Sequence, residues 1–371
     1  MKVLISGGGT GGHIYPGLAI AKAIEERYEG AEILFVGTEI GLESDIIPKS
    51  GYKLKTIKVS GLPRKVSFKL VKSVLESGLG FIQAKRIIKS FKPNIVIGTG
   101  GYVCGPVVLA ASLKKVPTLI HEQNVYPGIT NKLLARFVDK VALSNIDAKK
   151  YFCSPQKVEL TGNPIRGEIL TKDKAESYKD LNLDKDRKVI LAFGGSRGAK
   201  SINESLLYLY PQIRNSNLQL LHITGKEGFD EVKDKALELG INIEDQGNIK
   251  VKPYLYKMSA ALKVADLVIS RAGATALAEI TACGIPSILI PYPYAAENHQ
   301  EHNARSLEKK GAAKVILDKD LTGEGLSSIV NMILEDEKKL LQMSKTSKDL
   351  GQPHAIDNLI ALVEELVSYE L

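Results

Sequence analysis

The sequence predicts an α/β protein made of two doubly wound parallel-sheet domains. Three observations carry that prediction. Three runs of β-branched and aliphatic residues each end in a glycine cluster that opens into a helix pattern: KVLISGGGTGGH (Lys2 to His13), NIVIGTGGYVCGP (Asn94 to Pro106) and KVILAFGGSRGAKS (Lys188 to Ser201). Strand and helix patterns alternate along the chain, as parallel α/β sheets require. A length of 371 residues is long for one core and suits two domains.

In the first half, short aliphatic runs place strands at Val3–Ser6, Ile33–Gly37, Ile95–Gly98, Thr118–His121 and Lys140–Leu143. In the second, they place strands at Val189–Phe193, Gln219–Thr224, Leu267–Ser270, Ser287–Ile290 and Lys314–Leu317. Helical patterns fill most of the gaps. A polar stretch between Gly162-Asn163-Pro164 and Asp184-Lys185-Asp186 marks the boundary, giving expected domains of 1–163 and 164–349. The last segment carries Ile356, Leu359, Ile360, Val363, Leu366 and Val367 at helical spacing. That helix, about 350–371, must pack on a core, either that of the second domain or back on the first.

No apolar run approaches the ~20 residues that span a bilayer, and the N-terminus begins at once on a strand, so neither a signal peptide nor a transmembrane helix is expected. Cys104, Cys153 and Cys283 form no close pair and no metal-ligand spacing, and read as reduced thiols. Charge is uneven. Residues 1–164 carry 23 Lys and Arg against 12 Asp and Glu, a net +11; the remainder carries 27 against 30, a net −3. The basic first half expects an anionic partner, either a nucleic acid or a membrane surface.

Glycine loops between strand and helix build anion sites, because the helix N-terminus offers unpaired N–H groups and partial positive charge. Gly7 to Gly12 satisfies G-x-G-x-x-G, yet the second strand ends Phe35-Val36-Gly37-Thr38 and Glu39 comes late, which argues against dinucleotide binding. His13 follows the loop and is a candidate general base or a packed imidazole. His121-Glu122-Gln123-Asn124 brings polar groups to the same sheet edge. In the second half, Ser196 and Arg197 of the third loop can hold a diphosphate. Arg271 to Glu279 (RAGATALAE) follows a strand and enters a helix of small residues. Glu279 needs a partner in that apolar stretch, either a ribose diol or a salt bridge. His299 and His302 stand at i, i+3 but lack a third ligand, so no metal is expected. Asp184-Lys185-Asp186 and Asp318-Lys319-Asp320 match a metal-holding Asp-x-Asp pattern, and read as chance matches in surface loops away from the glycine clusters. Leu62 to Phe81 is amphipathic and basic through Arg64, Lys65, Lys69 and Lys72, a candidate interfacial membrane segment or an ordinary core helix with a solvated face.

Taken together, GGTGGHIYPGLA, GTGGYVCGP, HEQN, GNPIR, GGSRGAKSIN, SRAGATALAEI and HQEHNA resemble the MurG family of glycosyltransferases of peptidoglycan synthesis, along essentially the whole chain. The resemblance implies a GT-B fold: two Rossmann-like domains, an interdomain cleft and a C-terminal helix returning to the first domain. It implies transfer of N-acetylglucosamine from UDP-N-acetylglucosamine to undecaprenyl-diphospho-N-acetylmuramoyl-pentapeptide, at the cytoplasmic face of the bacterial inner membrane. Cell shape and division depend on that product. No cofactor, metal or nucleic acid is implied.

Carried over by motif, His13 and Glu122 are the catalytic candidates. Gly9, Gly100, Gly101 and Tyr102 line the acceptor side, with Thr10 beside them. Thr10, Gly11, Gly12 and Asn124 reach toward the donor. Ser196, Arg197 and Arg166 stand near the donor diphosphate, Leu255 near uracil and Glu279 at the ribose. Gln300 holds the N-acetylglucosamine, with Arg271, Ala274 and Thr275 lining that side. Arg197 stands where the family often has glutamine, and the segment from Pro291 to Gln300 departs from the family pattern. The mechanism implied is inverting: the muramoyl 4-hydroxyl displaces UDP, a base takes its proton, and loop N–H groups carry the leaving charge. The competing readings are a UDP-N-acetylglucosamine 2-epimerase, an NAD-dependent oxidoreductase and a non-catalytic nucleotide-sugar sensor on a membrane.

Overall fold

The computed structural model describes residues 1–61, 68–195, 198–244 and 247–368, and of residues 68–74 the backbone alone. The chain divides into two compact units, one of residues 1–164 and 354–371, the other of residues 165–353.

The first unit is built on seven parallel strands: β1 (Lys2–Gly7), β2 (Glu32–Gly37), β3 (Lys53–Thr56), β4 (Ile95–Gly100), β5 (Thr118–Glu122), β6 (Lys140–Leu143) and β7 (Val158–Leu160). Their order is β3-β2-β1-β4-β5-β6-β7. β1 and β4 are neighbours, and the order reverses between them. Ligands of open α/β sheets bind outside the C-terminal strand ends at such a reversal. The second unit repeats the plan with β8 (Lys188–Phe193), β9 (Leu218–Ile223), β10 (Ile249–Lys252), β11 (Leu267–Ser270), β12 (Ser287–Leu289) and β13 (Ala313–Val315), ordered β10-β9-β8-β11-β12-β13. Its reversal lies between β8 and β11.

Strands at the centre are apolar on both faces because both faces are covered. In the first unit, Leu4, Val96 and Ile120 pack to one side with Val107 and Val108, while Val3, Ile5, Ile95 and Ile97 pack to the other with Ile20 and Ile24. The C-terminal helix Ala355–Ser368 joins this second layer through Leu359, Ile360, Leu362, Val363 and Leu366. Of its two expected destinations, the helix therefore takes the first unit. Arg27 and Tyr28 fasten it, both donating to Glu364 Oε1 at 2.8 Å. Asn358 Nδ2 donates to the Thr161 carbonyl at 3.1 Å.

The ten strands expected from sequence are all present, with no end shifted by more than two residues. β3, β7 and β10 were not expected. They are short, and KLKT and IKVK alternate charged with apolar residues at sheet edges. Among the described residues no helix is long and apolar enough to cross a membrane.

Candidate functional site

In the first unit, the loops after β1 and β4 meet. Gly8 N–H donates to the Gly100 carbonyl at 3.3 Å. Gly101 adopts φ +86°, and a Cβ there would stand 2.4 Å from the Gly8 carbonyl oxygen, so only glycine fits. His13 sits at the start of helix Gly11–Arg27, against Gly100. Its Nδ1 lies 2.9 Å from the Gly8 carbonyl and 3.2 Å from Thr10 Oγ1. A carbonyl only accepts, so Nδ1 carries the proton and Nε2 the lone pair. The N–H groups of Thr10, Gly11 and Gly12 find no acceptor among the described residues. Tyr102 is exposed at the mouth of the β4 loop, and its ring edge stands 3.8 Å from where a Cβ on Gly9 would lie.

Glu122 ends β5 and is buried. Its carboxylate accepts from Asn124 N at 3.0 Å, Gly128 N at 3.1 Å and Asn131 Nδ2 at 2.8 Å, with Asn124 Nδ2 more distant at 3.3 Å. Burial raises its pKa, against those hydrogen bonds. All its acceptor positions organise the 124–131 loop. His121 is equally buried. Its Nε2 bonds the Gly162 carbonyl, its Nδ1 faces Gln123 Nε2, and burial pushes its pKa down to about 4, so it stays neutral. Cys104 is a buried thiol donating to the Ser6 carbonyl, its pKa pushed up to about 12 by burial.

In the second unit, Ser196 and Arg197 lie outside the described residues. Gly198 packs closely on the end of β9: a Cβ there would stand 2.0 Å from the Thr224 carbonyl oxygen. Glu279, on helix Ala274–Ala282, is buried and meets Arg166, whose Nε and Nη2 donate to its two carboxylate oxygens, both at 2.6 Å. The fork keeps the Arg166 guanidinium charged, chiefly through these bonds. Ala274 and Thr275 form the first turn of that helix behind Gly273, with no acidic residue in it. Gln300 Oε1 accepts from Ala272 N at 3.1 Å and Tyr292 N at 3.0 Å, tying the β11 and β12 loops together. Leu255 is half-buried against the core under β8 and β11.

Arg271 is held on four sides. Nη1 donates to Asp318 Oδ1 at 2.5 Å and to the Ile290 and Pro291 carbonyls; Nη2 donates to Ser201 Oγ at 3.1 Å. Ser201 Oγ donates in turn to Asp318 at 2.7 Å. This corrects the sequence reading of Asp318 as a surface-loop residue remote from the glycine clusters. Asp318 joins the helix after the third glycine loop to the β11 loop.

A second correction concerns the missing acid of the first unit. A carboxylate does stand beside the Gly7–Gly12 loop, but it comes from Glu43 on the following helix, and Gly9 and Thr38 consume it. The Gly37-Thr38 and Gly41 flanks were the available signal for Glu43. Asp-x-Asp was the signal for Asp318. Among the described residues, no group of three or more His, Cys, Asp or Glu is placed to hold a metal ion.

Residues 3–143 match the glycosyltransferase family 28 N-terminal domain, and residues 189–359 match its C-terminal domain. A protein of Desulforamulus reducens is 48% identical over 368 residues, covering 99% of both chains. One of Halothermothrix orenii is 51% identical over 368 residues, covering 98% of this chain and 99% of its own. Both are UDP-N-acetylglucosamine–N-acetylmuramyl-(pentapeptide) pyrophosphoryl-undecaprenol N-acetylglucosamine transferases. The crystal structure of Acinetobacter baumannii MurG superposes with a TM-score of 0.79 at 27% identity, covering 98% of this chain and 99% of that one.

Proposed function

The chain belongs to glycosyltransferase family 28, to the MurG family of N-acetylglucosaminyltransferases, and from that premise we propose how its two units divide the reaction. It moves N-acetylglucosamine from UDP-N-acetylglucosamine to the 4-hydroxyl of a muramoyl-pentapeptide carried on undecaprenyl diphosphate. The single observation that carries the reading is the near-full-length match to two such transferases, on a chain whose two sheets both present glycine loops at their reversal points.

The first unit takes the acceptor. The N–H groups of Thr10, Gly11 and Gly12, read from the sequence as reaching toward the donor, stand at a first-unit helix N-terminus with no acid in its first turn and are assigned instead to the acceptor diphosphate. His13 is the general base. Its Nδ1–H bond to the Gly8 carbonyl supports the role in two ways: it leaves Nε2 basic, and it steadies the imidazolium that forms. Glu122 is a positioning residue, since its oxygens are filled by the loop it shapes. Direct attack of the 4-hydroxyl on the anomeric carbon inverts its configuration and releases UDP.

The second unit takes the donor. Glu279 binds the ribose diol through the oxygens that Arg166 now bridges, so Arg166 shares or yields them and turns to the diphosphate. Gln300 orients the sugar with its amide nitrogen, its oxygen being committed to two backbone N–H groups. Arg271 and Asp318 fix the loops around the donor. The leaving charge is met by helix N-termini and loop N–H groups.

The first unit rests on the anionic cytoplasmic leaflet. Exposed Leu75, Leu79 and Ile82 recur at helical spacing on helix Phe68–Phe91, and neighbouring helices expose Leu113, Ile129 and Leu133 with Lys114, Lys115 and Arg136. Apolar residues ringed by cations suit a lipid surface. The deciding experiment incubates the protein with UDP-N-acetylglucosamine, with and without the lipid-linked acceptor. UDP release that requires the acceptor supports transfer. Interconversion of the sugar without acceptor would mark an epimerase.

A further inference from the structure

One buried carboxylate of the first unit has no part in the chemistry above. Glu43 is 0% exposed. Its Oε2 accepts Gly9 N–H at 2.9 Å, and its Oε1 accepts Thr38 N–H at 3.0 Å and the Thr38 hydroxyl at 2.6 Å. Three glycines from three segments make room for it. A Cβ built on Gly8, Gly37 or Gly41 would stand 2.4, 2.6 or 2.2 Å from a Glu43 side-chain atom. Real Cβ atoms do not come so close, so the cradle fits this carboxylate and little else. Burial pushes its pKa up, but the hydrogen bonds from Thr38 and Gly9 outweigh that and hold it below the ordinary range. A charge kept in a dry site by N–H and O–H donors alone is costly unless every donor is in place.

The loop amides then divide into two sets. Gly8 and Gly9 point inward, to the Gly100 carbonyl and to Glu43. Thr10, Gly11 and Gly12 are left for an outside anion, directly before His13. Without Glu43, the Gly9 N–H has no acceptor inside and the loop has no reason to keep this division.

We propose that Glu43 is a positioning residue for the acceptor: it draws Gly9 N–H inward and so sets the helix N-terminus and His13 against the diphosphate-linked sugar. This rests on the transferase reading. Glu43 touches no substrate. It acts through its three accepted hydrogen bonds, which a carboxamide cannot reproduce, because its NH2 group would face one of these donors.

The test uses the full-length protein with two single variants, Glu43→Gln and Gly41→Ala. The first removes one acceptor face. The second leaves the carboxylate in the chain but drives a Cβ into its place, and so keeps the test alive if Glu43→Gln fails to fold. For each, kcat and KM are measured separately for UDP-N-acetylglucosamine and for the lipid-linked acceptor, with UDP affinity by titration calorimetry. Expected is a ten- to hundredfold fall in kcat/KM for the acceptor, UDP affinity within twofold of wild type, and a double variant no worse than the poorer single. A general loss of structure would weaken both substrates together, and that outcome overturns the proposal. So does a folded Glu43→Gln variant whose acceptor kcat/KM stays within threefold of wild type. If wild-type protein transfers nothing to the acceptor, the transferase reading falls, and this role falls with it.

Discussion

At the scale of single residues, the sharpest claims concern His13 and Glu279. In the proposed division of the reaction His13 is the base on the acceptor side, so His13→Ala should cut turnover about 100- to 10,000-fold, the usual cost of losing a general base. UDP affinity should hardly move. Steady-state kinetics beside UDP titration check both halves, and a fall below about tenfold removes His13 as the base. Glu279→Ala takes a partner from Arg166 and, on the proposed role, a carboxylate from the ribose. Lost charge-assisted hydrogen bonds are worth about 1.5–3 kcal/mol, so UDP should bind about 10- to 150-fold more weakly in calorimetry. Unchanged affinity would leave Glu279 as the anchor of Arg166 and nothing more. Sequence made both residues visible, because each stands beside a glycine loop or in an apolar run where its polarity demands a reason. It did not show that Arg166 and Glu279 meet, since 113 positions separate them. Glu43 was overlooked and Asp318 was read as a chance match for a related cause. Each carried a short local signal, but the partners that give it a role, Gly9 for Glu43 and Ser201 and Arg271 for Asp318, are brought close only by the fold.

At the scale of elements, the interior strands were legible, whereas of the edge strands β13 was read and β3, β7 and β10 were not. β1, β4 and β8 are buried on both faces and read as unbroken aliphatic runs. β3 and β10 face water on one side and alternate Lys with apolar residues, which resembles loop composition. The C-terminal helix announced its apolar stripe, but the stripe alone could not choose between two cores. Glu364, meeting Arg27 and Tyr28, helped to make the choice. Helix Phe68–Phe91 carries the membrane claim. Arg64 and Lys65 lie outside the described residues, as do the side chains of Lys69 and Lys72; each of the four should gain about 1 kcal/mol near an anionic leaflet, a contribution that salt screens. Changing all four to Gln should strongly reduce sedimentation with anionic vesicles and barely alter it with neutral ones. Replacing Leu75 and Leu79 by Ser should reduce both. Equal binding before and after the charge changes would place the membrane face elsewhere on the first unit.

At the scale of the molecule, one strand plan occurs twice, and each copy keeps its own core and its own buried neutral histidine. Burial pushes His121 down to about 4 and His222 to about 3, while the unfolded chain titrates near ~6.5. Both shifts are depressions, so acid favours the unfolded chain. Stability should be full above pH ~6.5 and decline as pH falls toward the folded values, by up to about 1.4 kcal/mol per pH unit for each histidine. Urea unfolding at pH 7.5 and 5 should show that decline, and His222→Gln should shrink it; an equal slope in the variant would contradict the assignment. The uneven charge, +11 in residues 1–164 and −3 in the rest, matches the proposed division between a lipid-linked anion and a soluble nucleotide sugar.

The central claim is direct transfer of N-acetylglucosamine to a lipid-linked muramoyl acceptor without a metal ion. It is tested most directly by following sugar-labelled UDP-N-acetylglucosamine into the lipid fraction in the presence of EDTA. The account predicts that label enters the lipid, one UDP released per sugar moved, joined through a β-linkage to the 4-hydroxyl, at a rate unaltered by chelation. Label that never reaches the lipid, a retained α-linkage, or activity abolished by EDTA and restored by Mg²⁺ or Mn²⁺ would contradict it.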